Sequence, residues 1–483
     1  MAVNVDSPLH LPMPHDLNPT PRSTPWRGNT PTTTLQEERT VGNDVTPLTF
    51  TTFQNVIDGE LSSTNLQRHS LNPATLEANP EVPVCTQHDV DRAVAAAQNA
   101  SQAWAEALSE AHSMEFAHIQ VREMGMPLPM AVVDVHWGVQ WMRDFCTFSL
   151  PDKLIEATWE RYVIERYVPI GVTVGIIPWN GPIVLACGKI ATALLTGNTL
   201  ILKPSPLAPY GVLKLAELGL QFFPRGVLQA LSGDDDLGPW LTAHPGIEKV
   251  SFIGSCATAK KVVQACSAHL KRVSAELGGN DPAIVCEDVE PVVVAQKIAK
   301  VALMRSGQFC IAIKRVYVHE PVYDAVLAGI VEYIGSRVKD LLANIEETKL
   351  TVLPRGGQLI EGLSGFFIRP IVVSNPPDDA RVVVEEAFGP IIPVMKWSEE
   401  VEVIQRANNT NYGLGASVWS RDLSQADRIA NKLQAGNVWI NTHAEVQASA
   451  SFAGHKQSGF GSEFGVEGLK GWCNVQSKYT RPL

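Results

Sequence analysis

The chain has no Cys-x-x-Cys pair, no Walker motif, no His-Glu-x-x-His, no Gly-x-Ser-x-Gly and no Gly-x-Gly-x-x-Gly after its first predicted strand. These gaps remove the usual zinc ribbon, P-loop, zinc-protease and serine-hydrolase readings, and the usual dinucleotide fingerprint. No apolar run is long enough to span a bilayer; the longest candidates, such as Val172 to Ile177, have strand length. Charged residues are only 18% and the net charge is −11, which argues against a nucleic-acid partner. The 8 cysteines are spread through 483 residues, so a disulfide framework is not expected, and reduced thiols in a cytoplasmic protein fit better.

Residues 1–48 carry eight prolines and few large aliphatics, a composition that cannot bury a core and reads as a disordered tail. The tail has neither the apolar stretch of a signal peptide nor the charge balance of a transit peptide. An Ala-rich helix is expected from Asp89 to Trp104. From Arg161 to Val174 the β-branched and aromatic residues suggest extended ribbon, bent at Pro169-Ile170-Gly171. Strands then alternate with helices: strands at Thr173–Trp179, Thr199–Lys203, Val227–Ser232 and Lys249–Gly254, helices at Ile183–Leu195 and Tyr210–Phe223. A second such set includes strands at Ala283–Cys286, Arg315–His319, Ile391–Lys396, Gly415–Trp419 and Gly436–Asn441. This pattern predicts two α/β units with parallel sheets.

Several short motifs carry chemistry. Cys310 ends Ser306-Gly307-Gln308-Phe309-Cys310, on a connection between a helix and a strand, where reactive residues are displayed. Its thiol needs a base or positive dipoles nearby to act as a nucleophile. Glu276, in Glu276-Leu277-Gly278-Gly279-Asn280, is either that kind of group or a plain surface carboxylate at a turn. Asn180, in Pro178-Trp179-Asn180-Gly181-Pro182, follows a strand end; its amide could donate to an oxyanion, or the segment is simply a turn. Lys203, at the next strand end, could reach a cofactor ribose or phosphate, or be a solvated charge. Gly254 and Ser255 open a helix whose amides could hold a pyrophosphate. Glu386 and Phe388 lie in Glu385-Glu386-Ala387-Phe388-Gly389-Pro390. The near-match Gly459-Phe460-Gly461 follows no βαβ strand and reads as a loop.

Together and in this order the motifs resemble the aldehyde dehydrogenase superfamily, over roughly Phe53 to Tyr479. Glu276 precedes Cys310 by 34 residues and Asn180 precedes Lys203 by 23, both like the family's spacing. The resemblance implies an α/β fold of two Rossmann-like parallel-sheet domains plus a small β oligomerisation ribbon. Residues 49–150 and 170–275 would bind the cofactor, 276–455 would be catalytic, and 151–169 with 466–483 would form the ribbon and C-terminal tail. It implies NAD or NADP as cofactor, a small-molecule aldehyde as substrate, no metal, no nucleic acid or membrane partner, and a homodimer or homotetramer. It also implies roles: Cys310 as nucleophile, Asn180 and the Cys310 amide as oxyanion donors, and Glu276 as the base that activates water against a thioester. Lys203 and Glu386 would hold the riboses, Ser255 beside Gly254 the pyrophosphate, Phe388 the nicotinamide face, and Trp179 the cofactor cleft.

The chain departs from the family pattern in places. Pro206 stands where many NAD-preferring members have Glu, which opens the choice between NAD and NADP. Gly181 replaces a usual Phe, Ile253 a usual Thr and Ala259 a usual Gly. Two segments, Trp104–Met124 and Arg337–Thr351, look about one helix short. That shortening motivates a rival expectation, a non-catalytic or degraded relative. A coenzyme A-acylating semialdehyde dehydrogenase is a third, disfavoured by the intact Glu276.

Overall fold

The computed structural model describes residues 48–86, 88–93, 112–343 and 365–481, without the side chains of 337–343. Residues 1–47 of the expected tail, most of the helix expected at Asp89–Trp104, and residues 104–111 and 344–351 of the two short segments lie outside the described residues.

The first sheet has eight strands: β1 (Asn55–Ile57), β2 (Glu60–Ser62), β7 (Val172–Ile176), β8 (Thr199–Lys203), β9 (Leu228–Ala230), β10 (Lys249–Ile253), β11 (Arg272–Glu276) and β18 (Gly459–Phe460). Their order is β18-β11-β10-β7-β8-β9-β1-β2. The five central strands run parallel, and β1, β2 and β18 are antiparallel additions at the edges. Two short strands, β3 (Gln67–Arg68) and β4 (Val82–Pro83), pair with each other alone. The second sheet is wholly parallel: β12 (Asp281–Val285), β13 (Ile313–His319), β14 (Ile371–Ser374), β15 (Ile391–Trp397), β16 (Gly415–Trp419) and β17 (Asn437–Ile440), in the order β14-β15-β13-β12-β16-β17. A third sheet joins β5 (Lys153–Ala157), β6 (Tyr162–Pro169) and β19 (Cys473–Thr480).

Parallel strands buried on both faces need continuous apolar runs, and β7, β8 and β12 are buried at every position. Helices cover the sheets. They are α1 (Ser113–Met124), α2 (Leu128–Phe145), α3 (Pro182–Leu195), α4 (Tyr210–Gly219), α5 (Leu237–Ala243), α6 (Cys256–Ser267), α7 (Pro291–Ala302), α8 (Tyr323–Ala343), α9 (Arg381–Val384), α10 (Glu400–Asn408), α11 (Leu423–Ala430) and α12 (Gly465–Lys470). Leu237, Leu241, Val262 and Cys266 of α5 and α6 pack on Val174, Ile201 and Val250 of the first sheet. Ile298 of α7 and Ile330 of α8 cover one face of the second sheet, and Val403 and Ile429 of α10 and α11 the other. Each buried leucine or isoleucine adds about 1.5–3 kcal/mol of apolar transfer.

The predicted alternation is present, and β8 and β16 keep their predicted limits. The strand expected to reach Trp179 stops at Ile176. Ile177 N still donates to Lys203 O, but Pro178 has no N–H to continue the ladder. The helix expected to run to Phe223 ends at Gly219, whose carbonyl is taken by turn bonds from Phe222 and Phe223. The segment read as a loop at Gly459-Phe460-Gly461 is β18, paired antiparallel with β11 through Glu276 and Gly459. Its alternation is only two residues long, too short for a sequence pattern to reveal.

Candidate active site

The site lies where the C-terminal ends of β7, β8, β10 and β11 meet the turn before β13. Parallel sheets present their ligand-binding residues at such ends. Glu276 is the last residue of β11, level with Ile253 of β10. The chain that follows is pinned from outside. Leu277 N donates to Ser458 O (2.9 Å), Ser458 Oγ donates to Gly278 O (2.6 Å), and Gly254 N donates to Glu276 O (3.1 Å).

Cys310 follows α7 and a 3-10 turn, Met304–Gly307. It is half-buried. Burial pushes its thiol up to about 12, and the carboxylates of Glu276, Asp281 and Glu386 push in the same direction while Arg305 opposes them. Of the charges, Glu276 acts most strongly on the thiol. The Glu276 carboxyl is itself held well above the ordinary carboxylate range, first by burial and then by Glu463, against Lys189. Its Oε1 has no hydrogen-bond partner. Once ionised, a carboxylate with a free oxygen can take a proton from a thiol or a water.

Asn180 is buried in the turn between β7 and α3, and its Nδ2 donates to Gln308 O at 3.0 Å. An amide nitrogen carries two N–H donors, so one is held by the nucleophile turn and one is left for an oxygen beside Cys310. Arg305 Nη1 in turn donates to Asn180 O at 2.9 Å.

The remaining expected residues surround this centre. Lys203, at the end of β8, is buried; burial lowers its ammonium to about 8, with Asp235 opposing. Its Nζ donates only weakly, to Pro204 O at 3.2 Å. Ser255 caps α6, its Oγ accepting from Thr258 N at 3.2 Å. A Cβ on Gly254 would crowd the Phe252 ring, so glycine keeps the backbone before α6 close to the sheet. Glu386 accepts from Gly279 N at 3.1 Å, and burial raises it to about 7. A Cβ on Gly278 would overlap that carboxylate. Trp179 and Phe388 meet edge to face with centroids 5.7 Å apart.

These residues fit a dinucleotide. A twelve-residue helix offers its N-terminus beside a capping hydroxyl, a lysine and a glutamate flank it, and two aromatic rings sit at the end nearer the thiol. The chemistry of the donors matches riboses and a pyrophosphate.

Six charged groups around the site, Lys189, Glu463, Asp134, Arg305, Lys314 and Asp281, lie outside the motifs visible in the sequence. Lys189 and Glu463 form a fully buried ion pair at 3.0 Å, bridged by Ser251. Asp134 of α2 pairs with Arg305. Lys314 Nζ donates to Gly307 O and Ala387 O, bracing the turn before the nucleophile. A signal existed for Lys189: it is the one charged residue of α3, a helix otherwise apolar on every face. Arg305 gave no signal, because only the fold brings it to Asn180.

A half-buried thiol on a tight turn, with a carboxyl acting on it and an amide tied to that turn, is an arrangement suited to covalent chemistry on a thiol in an α/β protein. The chain belongs to the aldehyde dehydrogenase family, whose sequence profile matches residues 61–340 and 335–478. It is similar to FUS7 of Gibberella fujikuroi, 39% identical over 463 residues, covering 89% of this chain and 99% of that protein. Among solved structures, an NAD+ complex of aldehyde dehydrogenase from Bacillus cereus is 30% identical, with a TM-score of 0.81 over 89% of this chain and 96% of that one. An NADP-dependent enzyme of E. coli is 28% identical, with a TM-score of 0.81 over 90% of this chain and 99% of that one. Family and fold make the chain an oxidoreductase of the aldehyde-oxidising type.

Proposed function

We propose that the protein oxidises an aldehyde to a carboxylic acid with NAD or NADP, through covalent bonding to Cys310. The observation that carries this reading is the hydrogen bond from Asn180 Nδ2 to Gln308 O, which ties an oxyanion donor to the nucleophile turn. Glu276 takes the thiol proton, and the thiolate of Cys310 adds to the aldehyde carbon. The second Asn180 N–H and the Cys310 amide hold the resulting oxyanion; one such donor contributes about 2.7–4 kcal/mol. A bound nicotinamide would supply the hydride acceptor, and the adduct oxidised in this way would be a thioester on Cys310. Glu276, once it has passed the thiol proton to solvent, deprotonates a water, which attacks the thioester and releases the acid and the thiolate.

The first sheet would serve the cofactor and the second would carry the nucleophile. Lys203 and Glu386 would hold the riboses, the Gly254–Ser255 start of α6 the pyrophosphate, and Trp179 and Phe388 the cleft around the nicotinamide. That solved relatives include an NAD+ complex and an NADP-dependent enzyme supports either dinucleotide. The third sheet exposes Leu154, Ile155, Trp159, Val475 and Tyr479, an apolar edge that supports self-association into a homodimer or homotetramer.

The test is reduced-dinucleotide formation with a panel of aliphatic and aromatic aldehydes, with NAD and NADP in turn. Turnover is expected, and Cys310→Ala is expected to abolish it while leaving the dinucleotide's thermal shift intact. Folded protein that is stabilised by neither dinucleotide and turns over no aldehyde would refute the reading.

A further inference from the structure

The turn that leads to Cys310 is held by Lys314, at Gly307 O, and on its other side by Asn180 and Arg305, which are bonded to each other. Arg305 and Ser306 both have left-handed backbone, φ 52° and 58°, which non-glycine residues avoid. The Arg305 side chain folds back across the site to the start of α3. Three hydrogen bonds then close a ring. Gln308 N donates to Arg305 O (3.0 Å), Asn180 Nδ2 donates to Gln308 O (3.0 Å), and Arg305 Nη1 donates to Asn180 O (2.9 Å). The other arm of the guanidinium pairs with Asp134, and both side chains are almost wholly buried. The guanidinium also stands 5.0 Å from the centre of the Phe309 ring. Gly181 is a condition of this arrangement, because a Cβ there would overlap Arg305 Nη1.

We propose that Arg305 is a positioning residue for the Cys310 reaction, locking the Asn180 amide and the Gly307–Cys310 turn into one unit, with Asp134 balancing its charge and Gly181 leaving room for it. The inference rests on the aldehyde-oxidation reading, since it assigns the oxyanion to Asn180. Without the guanidinium, the Asn180 carbonyl loses a charge-assisted partner, and the amide can rotate away from the line of attack. A planar fork is needed to serve Asp134 and Asn180 at once, which a lysine cannot do. Arg305 is also a cation that opposes the three carboxylates, Glu276, Asp281 and Glu386, acting on the thiol, and Lys314 is a second charge coupled to it.

The experiment compares Arg305→Gln, Arg305→Lys, Gly181→Ala and the Gly181→Ala/Arg305→Gln double variant. Arg305→Gln is expected to lower kcat about 10–100-fold, the cost of a misplaced oxyanion donor. KM and the thermal shift for the dinucleotide are expected to stay as they were. Gly181→Ala is expected to lower kcat in the same way, and the double variant to be no worse than the worse single one. Alkylation of Cys310 by iodoacetamide, followed on the Cys310 peptide by mass spectrometry, is a readout independent of turnover. Arg305→Gln is expected to slow it about tenfold at pH 8 and move its pH profile upward, one pKa unit being tenfold in thiolate. Arg305→Lys is expected to keep the alkylation rate and still lose kcat.

A purely structural role predicts the opposite sign, since loosening the turn exposes the thiol and speeds alkylation. Additive losses in the double variant, or unchanged or faster alkylation in Arg305→Gln, would overturn the proposal. If Arg305→Gln fails to fold, because Asp134 is left buried and unpaired, Asp134→Asn/Arg305→Gln and Gly181→Ala carry the same measurements. If the unaltered protein turns over no aldehyde, the functional reading falls, and the alkylation arms still decide the role of Arg305.

Discussion

Lys189 Nζ lies 3.0 Å from Glu463 Oε1, and these two buried groups are the charges that act on Glu276. Ser251 Oγ donates to the same Glu463 oxygen at 2.8 Å, and Ser274 and Lys249 extend the chain of contacts along the sheet. Burial alone would raise Glu463, but the Lys189 ammonium and the Ser251 hydroxyl outweigh it and hold the carboxyl below its usual range. Glu463 is therefore ionised, and it keeps Glu276 protonated to higher pH.

Replacing either partner of the pair has a signed consequence for pH dependence. Glu463→Gln removes the negative charge that raises Glu276, so the rise of the hydrolysis rate with pH is expected to move to lower pH. Lys189→Met removes the opposing cation and is expected to move it higher. Each single variant leaves a buried charge without its partner, costing about 3–5 kcal/mol in denaturant unfolding. Profiles of kcat against pH for the two variants shifting in the same direction would contradict this account.

Glu123 sets a second pH dependence, far from the thiol. Its Oε2 accepts from Tyr210 N (2.9 Å) and Gly211 N (3.4 Å) at the start of α4, and burial raises its carboxyl to about 8. The folded pKa lies above the unfolded one, so the folded state binds the extra proton. Its contribution to stability is present in full below the unfolded value near 4.3 and is lost as pH rises through about 8. One proton gives a slope of at most about 1.4 kcal/mol per pH unit. Glu123→Gln is expected to flatten unfolding free energy between pH 5 and 8, measured by urea titration. A wild-type curve already flat over that range would be the contrary result.

Pro206 puts no carboxylate at position 206, beside Lys203, on which Asp235 and Asp234 already act. Pro206→Glu would place one near Lys203, where it would repel a 2′-phosphate and favour a ribose hydroxyl. The expected outcome is weaker NADP binding, by about tenfold relative to NAD. Calorimetric titration with both dinucleotides measures the ratio, and an unchanged ratio would mean that residue 206 lies outside the adenosine contact.

The parts legible in the sequence were those written in local pattern. Apolar runs punctuated by Gly and Pro marked β8 and β16 to the residue, and Cys310, Glu276 and Asn180 stood in short motifs at strand ends and turns. What stayed illegible was made by distance along the chain. Asp134 and Arg305 are separated by 171 positions, Lys189 and Glu463 by 274. No local periodicity encodes such pairs; a lone charge in an apolar helix, as at Lys189, is the only trace they leave. The two-residue strand β18 was hidden for the same reason, since its partner β11 lies far upstream.

That strand supplies the last prediction. Gly459 has φ +137°, a conformation L side chains rarely adopt, and a Cβ there would overlap Ala275 O in the neighbouring strand. Both effects oppose any larger residue, and the position is level with Glu276. Gly459→Ala therefore has to push β18 off β11 or distort the end of β11. The Ser458 contacts to Leu277 and Gly278 lie one residue away and would be strained with it. The variant is expected to lose about 1–3 kcal/mol of stability. Its defect in turnover should fall on the hydrolysis of the thioester, the step assigned to Glu276, more than on its formation. A burst of reduced dinucleotide followed by slowed steady-state turnover would show that split. Loss of the burst itself, in a variant that still binds dinucleotide, would place the damage at Cys310 instead and separate β18 from the water-activating carboxyl.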